Sequence, residues 1–462
     1  MINSYKQARK YLESLISNST YINTSPRARD GSNPLMRTRH LLNKLGNPQD
    51  KYPSVIISGT SGKGSTAYLI SKILIESGYK TGFTCSPHLQ NITERMQINA
   101  QQIPKNQFVI LLNEVFPIIQ KMKTTPFGLP SYYEVLLALT LVYFAKENID
   151  FAVIEVGLEG KFESTNIMTP LIFILTNISL DHTQILGNTV EKIADEATWR
   201  IKDMTYLFQG QKPIIITGAK QPKVLNIIEK RAKEAKIPIL HISKDFDYKH
   251  IENVKQGVIF SFWNKRIKLD KLTVSLHGEY QAENATLSIE TVLQLQKFGF
   301  NVKKESIYNA LQAAFFPGRF EKIVRNNQTI ILDGAHNIAK MQAFLDSLEK
   351  IIPNTKKVFL VGFKKDKDIS GLLSLIIRHT NKLVITKFTT STDLGKNLSM
   401  NTDNVALKVP KNNHSIDIYV EKDIRKALKK GLKLAVENNA IIIVTGSLYL
   451  VGEIRELLGL DA

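Results

Sequence analysis

SGTSGKGSTAYLISKIL, residues 58–74, sets glycines, hydroxyls and one lysine directly ahead of a helix-like run. The apolar stretch SVIIS (54–58) precedes it, and Leu69, Ile70, Ile73 and Leu74 follow at helical spacing. Strand, glycine turn and helix in that order make a phosphate cradle. Gly59, Gly62 and Gly64 let the backbone turn tightly, so that loop amides meet phosphate oxygens at the helix N-terminus. Lys63 would neutralise the outer phosphates, and Ser65 and Thr66 supply hydroxyls. The usual pattern is G-x-x-x-x-G-K-[ST]. Here Ile57 stands at the first glycine, and Gly64 follows the lysine.

Outward from this loop the chain alternates strand-like and helix-like segments. FAVIEVG (151–157) and LIFILTNIS (171–179) are nearly continuous in hydrophobicity, which predicts a parallel sheet covered on both faces. Residues 240–277 read as short strands with turns, and a helix pattern returns at Gly278. A second α/β series follows FFPGRFE (315–321), with strands TIILD, KKVFLVG, KLVIT, SIDIYV and AIIIVTG. The expected division is a domain at 1–314 and a Rossmann-like domain at 315–462, hinged near Pro317–Gly318. Residues 16–33 are polar and turn-rich and read as a mobile loop.

Composition narrows the class. The chain has 462 residues, 43% hydrophobic and 22% charged, as expected of a core-forming globular protein. Its 61 Lys+Arg exceed 42 Asp+Glu, a formal +19. The lysines are scattered, as in KALKKGLK, without a dense basic arm. The charge therefore reads as solvated faces plus an anionic substrate, not nucleic acid. Cys85 stands alone, which excludes an intrachain disulfide and cysteine-based zinc sites and fits a reducing compartment. The longest apolar run, VLLALTLVYFA (135–145), is too short to span a bilayer and reads as a buried helix. A secretory apolar segment is not evident at the N-terminus. A cytoplasmic protein without membrane partners is expected.

GTSGKGST resembles the nucleotide loop of the Mur ligase superfamily, whose folate branch carries G-T-N-G-K-G-[ST]-T. Further stretches resemble the folylpolyglutamate synthase / dihydrofolate synthase family in its order: CSPHLQNITERMQIN (85–99), IDFAVIEVGLEGKFESTN (149–166), TNISLDHTQILGNTVEKIADE (176–196), HGEYQAENATLSI (277–289), FPGRFE (316–321), LDGAHN (332–337) and VTGSLYLVGEIREL (444–457). The resemblance runs from about residue 34 to the C-terminus. It implies a Mur-ligase-like P-loop ATPase domain with a mainly parallel sheet, plus the C-terminal Rossmann-like domain. It also implies ATP-dependent amide bond formation: L-glutamate is added to a folate or dihydropteroate carboxylate through an acyl phosphate, releasing ADP and phosphate.

The same resemblance assigns residues. Lys63, Glu155, His182 and His336 would be catalytic. Gly59, Thr60, Ser61, Gly62, Lys63, Gly64, Ser65 and Thr66 would hold ATP, with Asn284, Arg319 and Asp333. Ser86, Glu155 and His182 would bind Mg²⁺. Arg95, Glu134, Phe162, Glu163 and Ser164 would border the acceptor substrate. Physical chemistry bears on several of these. Glu155 at the end of an apolar strand is costly to bury unpaired, which a metal or a salt bridge would explain. Arg319 suits phosphate, and Asp333 at a strand end suits ribose hydroxyls. Asp333 and Asn337 would serve equally as helix caps. Contacts from both domains to one ATP would make catalysis depend on closure. Small-molecule substrates and a monomer are expected.

Three departures bear on function. The family's I-A-x-E-K-A-G, with a lysine usually carbamylated to hold a second metal, is IADEATWR here, with Ala197 at the lysine. One Mg²⁺ site is expected; a second would need another group such as Glu196. G-L-G-G-R-L-D-A-T-N has become GLEGKFESTN, so that Glu159, Lys161, Phe162 and Glu163 alter the region bordering the acceptor site. The 16–33 loop is longer than expected and sits where a pterin-binding loop would be. The alternatives are a Mur-family ligase with a different carboxylate and amino acid, and a nucleotide-binding protein that has lost turnover.

Overall fold

The computed structural model describes residues 1–18, 34–204, 210–391, 393, 395, 398–410 and 416–461. Most of the segment expected to be a loop, 19–33, lies outside the described residues. Its start differs from expectation: Leu15–Asn18 forms a helical turn that continues the helix Tyr5–Ser14, which Ser4 caps at Gln7 N–H.

The first sheet has eight strands, in the order Gln101–Gln102, Gln97–Ile98, Thr81–Thr84, Phe151–Glu155, Ser54–Ser58, Ile172–Leu175, Ile214–Thr217 and Ile239–His241. Every pairing from Thr81–Thr84 onward is parallel, and the two short edge strands are antiparallel. Alternation sends Ile56, Ile154 and Phe173 to one core and Val55, Ile57, Val153 and Ile172 to the other. Both faces are buried, which is why the strands read as unbroken apolar runs. Tyr132–Lys146 is a buried helix of the first core, not a membrane span. Among the described residues, no helix is long and apolar enough to cross a membrane.

Residues 246–274 form the expected short strands, as a three-stranded antiparallel sheet. Its inward Phe260, Phe262 and Leu272 pack with Leu287, Ile289 and Val292 of the helix Tyr280–Leu295. That helix lies beside the one that starts at Lys63; Ser288 Oγ donates to Thr66 O at 3.1 Å.

The remaining sheet has six strands, in the order Glu321–Arg325, Gln328–Leu332, Ile441–Thr445, Lys357–Val361, Lys382–Ile385 and Asp417–Val420. Five match the strands read from sequence and are parallel. The sixth, Glu321–Arg325, is an antiparallel edge strand that the sequence reading missed. Asn326 and Asn327 both have positive φ, at 49° and 58°, and make the two-residue hairpin turn.

In both sheets the parallel strands end at one place. The loops after Ser54–Ser58, Phe151–Glu155 and Ile172–Leu175 meet those after Gln328–Leu332, Lys357–Val361 and Ile441–Thr445. Asp181 touches Asn337 and Lys367, and Gln90 bonds Arg455 and Leu460. The carboxyl ends of parallel strands, where strand order reverses, are where α/β sheets leave a crevice.

Candidate active site

A cavity of about 450 Å³ fills that crevice. The glycine loop forms its floor. Gly59 has φ 123°, and a Cβ there would lie 2.1 Å from Thr176 Oγ1. Gly62, the residue ahead of the helix Lys63–Glu76, has φ 83°, and a Cβ would lie 2.3 Å from Asn284 Oδ1. Both positions demand glycine. Thr60 N–H donates to Asn177 O at 2.8 Å and Ser61 N–H to Asn177 Oδ1 at 3.1 Å, which fixes the turn. The helix then presents its unpaired N–H groups to the cavity.

Lys63 folds back over the loop. Its Nζ donates to Gly59 O at 2.5 Å and to Glu159 Oε1 at 3.0 Å. Burial opposes its charge, but the carboxylates of Glu159, Glu155 and Asp181 outweigh burial and raise its pKa. Glu155 is buried yet faces the cavity, accepting from Ser86 N–H at 2.9 Å. A Cβ on Gly64 would stand 3.3 Å from its Oε2, so the carboxylate lies against the first turn of the loop helix. Burial raises the Glu155 carboxyl above its ordinary value, against the pull of Lys63, the Ser86 N–H, Arg319 and Lys340.

Asp181 and His182 follow the strand Ile172–Leu175. Burial opposes the Asp181 charge, but Lys340 and then Lys367 hold the carboxyl far below the carboxylate range. His182, in the left-handed region at φ 48°, is pushed down to about 3, first by burial and then by Lys367. From the second sheet, His336 Nδ1 meets Gly334 O at 2.7 Å and its Nε2 lies 3.2 Å from Lys340 Nζ. Burial, Lys340 and Lys367 push that ring well below its usual value. Asp333 accepts from Phe320 and Ala335 N–H at 2.8 Å each, and burial raises its carboxyl against Arg319 and those bonds. Asn337 caps its helix at Lys340 N–H and also donates to Asp181 Oδ2, both at 2.8 Å.

The structure thus brings Lys63, Ser86, Glu155, His182, Asn284, Arg319, Asp333 and His336 around one cavity. Asn284 is buried against Gly62 rather than facing solvent. The residues expected to border the acceptor divide. Glu163 lines a second cavity of about 140 Å³, which shares Ser86, His182 and His336 with the first, and accepts from Tyr133 OH at 3.0 Å. Phe162 lies beneath Lys161, 5.4 Å from Nζ to ring centre. Arg95, Glu134 and Ser164 line neither of these two cavities. Arg95 donates to His88 Nδ1 at 3.0 Å and to Asp393 at 2.6 Å, joining the two halves of the chain. Glu134 takes both bonds of a buried fork from Arg37, each 2.6 Å. Ser164 Oγ accepts from Thr38 at 2.9 Å.

Two groups differ from the sequence reading. Glu159 belongs to the nucleotide loop through Lys63 and the Gly59 N–H, which no spacing rule signalled. Glu196, considered as a metal donor, accepts from Lys161 N–H at 2.9 Å and does not line the cavity. Ala197 contributes a buried methyl to the core. Among the described residues, no three His, Cys, Asp or Glu gather as a metal cluster. The donors that remain, the Glu155 carboxylate and Ser86 hydroxyl beside the phosphate cradle, are hard oxygens. They fit one Mg²⁺ completed by phosphate oxygens and water.

Residues 57–292, half the chain, match the Mur ligase middle domain. The chain belongs to the Mur ligase family. Residues 318–458 of this Mur ligase match the dihydrofolate synthetase C-terminal domain. It is 29% identical over 428 residues to the dihydrofolate synthase/folylpolyglutamate synthase of Bacillus subtilis, covering 92% of this chain and 94% of the relative. It resembles the Mycobacterium tuberculosis folylpolyglutamate synthase solved with ADP and AMPPCP, at TM-score 0.85 and 27% identity, over 93% of this chain and 96% of that one. The Thermotoga maritima folylpolyglutamate synthase superposes at TM-score 0.79 with 29% identity, over 98% of this chain and 96% of that one.

Proposed function

We propose that this Mur ligase is an ATP-dependent acid–amino-acid ligase that joins L-glutamate to a folate or dihydropteroate carboxylate. The observation that carries the reading is Glu155. Its carboxylate faces the cavity at the N-terminus of the glycine-loop helix, opposite Arg319 and Asp333 of the second half of the chain.

In this reading the amides of residues 62–65 and the Lys63 ammonium bind the β- and γ-phosphates, while Gly59, Thr60, Ser61 and Thr66 shape the turn through their own backbone bonds. Asn284 meets the adenine, Asp333 the ribose, and Arg319 the phosphates. Glu155, Ser86 and His182 would hold Mg²⁺, which would offset the charge of the transferring phosphoryl group. The acceptor carboxylate attacks the γ-phosphorus and ADP departs, leaving an acyl phosphate. The glutamate amine attacks the acyl carbon, phosphate leaves with one former carboxylate oxygen, and a proton is released. The smaller cavity, lined by Tyr133, Glu163, Lys364 and Lys367, would receive the amino acid. His336 lies between the two cavities and orients the reacting groups. Arg95, Glu134 and Ser164 act by positioning, since each has a protein partner.

The chain divides into the domains 1–314 and 315–462. The crevice between them closes over ATP and keeps water from the acyl phosphate. A cytoplasmic monomer completes the proposal. A panel of carboxylate and amine pairs, scored by ADP release, tests it. Release should require a pteroate-type acid and L-glutamate together. ATP hydrolysis indifferent to every pair would leave a nucleotide-binding protein without ligase turnover.

A further inference from the structure

Glu159 is a carboxylate whose partners are phosphate-binding groups. Its Oε1 accepts from Gly59 N–H at 2.8 Å and from Lys63 Nζ at 3.0 Å. The side chain is 4% exposed, and the residue lines the larger cavity. A carboxylate oxygen on a loop amide and a loop lysine takes the partners a phosphate oxygen would take. Triphosphate and Glu159 therefore compete for one ammonium.

The carboxylate is held in place from behind. Lys161 N–H donates to Glu196 at 2.9 Å, and Asn166 Nδ2 donates to Gly160 O at 2.9 Å and Lys161 O at 3.1 Å. The helix this loop leans on, Val190–Ala197, ends in a methyl that offers no donor atom.

Two of the buried carboxylates around the loop, Asp181 and Glu159, are not equally supplied with cations. Asp181 pairs with both Lys340 and Lys367, whereas Glu159 has Lys63 as its ion pair among the described residues. Once phosphate takes Lys63, Glu159 becomes a buried carboxylate facing phosphate oxygens. A buried charge without its partner is costly, and like charges at close range add to that cost. A hard divalent cation shared by phosphate and carboxylate oxygens removes both penalties.

Resting on the nucleotide site described above, we propose that Glu159 makes nucleotide binding metal-dependent. Its carboxylate holds Lys63 and the Gly59 N–H in the free protein, and passes to nucleotide-bound Mg²⁺ when the triphosphate takes Lys63.

The test uses the full chain and AMPPCP, without acceptor or amine. Calorimetric titration in EDTA reads metal-free affinity. Paramagnetic resonance of Mn²⁺ at saturating AMPPCP reads metal affinity. Glu159→Gln should bind metal-free AMPPCP about tenfold more tightly, the scale of one hydrogen bond to a charged group. It should bind Mn²⁺ about tenfold more weakly than wild type by the same scale. Glu159→Gly, which removes the carboxylate outright, should shift both in the same directions, and a thermal melt confirms that each variant is folded. Unchanged metal-free affinity in both variants overturns the proposal, as does unchanged Mn²⁺ affinity. Failure of wild type to bind AMPPCP under any condition overturns the nucleotide site itself, and this inference with it.

Discussion

Lys367 Nζ lies 2.5 Å from Asp181 Oδ1, a buried ion pair that ties the two sheets together beside the cavity. Asp181 also receives Asn337, so one carboxylate clasps two loops of the second sheet. Removing one partner of such a pair strands the other charge, at a cost of about 3–5 kcal/mol. Asp181→Ala should therefore lower the melting temperature at neutral pH. The Asp181 carboxyl is held below its ordinary range. Its contribution is present above the unfolded value, about 4, and is lost only as pH falls through the lower folded value. The gap between variant and wild type should stay constant from neutral to mildly acid pH and narrow only in strong acid. Melts across pH check this.

Lys340 sets a different pH limit. Burial, opposed by Asp181, lowers its ammonium to about 8, and the residue lines the larger cavity. The protonated form favours a phosphate ligand. The dissociation constant for AMPPCP should be flat below about 8, then rise by up to tenfold per pH unit above it. Lys340→Arg should abolish the inflection, because guanidinium stays charged. An unmoved inflection would assign it to another group.

Glu155→Gln removes a charge that burial disfavours. Stability should hold or rise, while ligase turnover falls by at least about a hundredfold, the usual scale for losing one electrostatic group of a phosphoryl-transfer site. Full activity in a folded variant would displace Glu155 from the metal role.

Glu134 separates scaffold from substrate contact. Its buried fork to Arg37 predicts that Glu134→Ala loses about 3–5 kcal/mol of unfolding free energy in denaturant melts. A fully stable variant with a raised KM for the acceptor would instead make Glu134 a substrate residue.

Much of this was legible in the sequence because it is local. Strand, glycine turn and helix at 54–74 place the cradle, and Glu155 at a strand end stands out as a carboxylate that apolar strands do not carry without a partner. Asp333 to Asn337 follow a strand in the same way. The illegible part pairs residues far apart in the chain. Asp181 and Lys367, or Arg95 and Asp393, look like ordinary surface charges until two sheets meet end to end. Glu159 was visible as a substitution, but its direction was not: only the backbone turn at Gly157–Gly160 aims it at Lys63 instead of the acceptor region. The Asn326–Asn327 hairpin was readable from turn chemistry, yet its first strand, EKIVR, is too charged to stand out beside the apolar parallel series.

Transfer of a carboxylate oxygen to phosphate separates an acyl-phosphate route from plain ATP hydrolysis. The measurement supplies dihydropteroate labelled with oxygen-18 in its carboxylate, together with L-glutamate and ATP, and reads the mass of the released phosphate. An acyl phosphate formed at Lys63 and Glu155 predicts one labelled oxygen per phosphate, released at least about a hundredfold more slowly by Glu155→Gln. Phosphate released without label, from a chain that turns over these substrates, would contradict it.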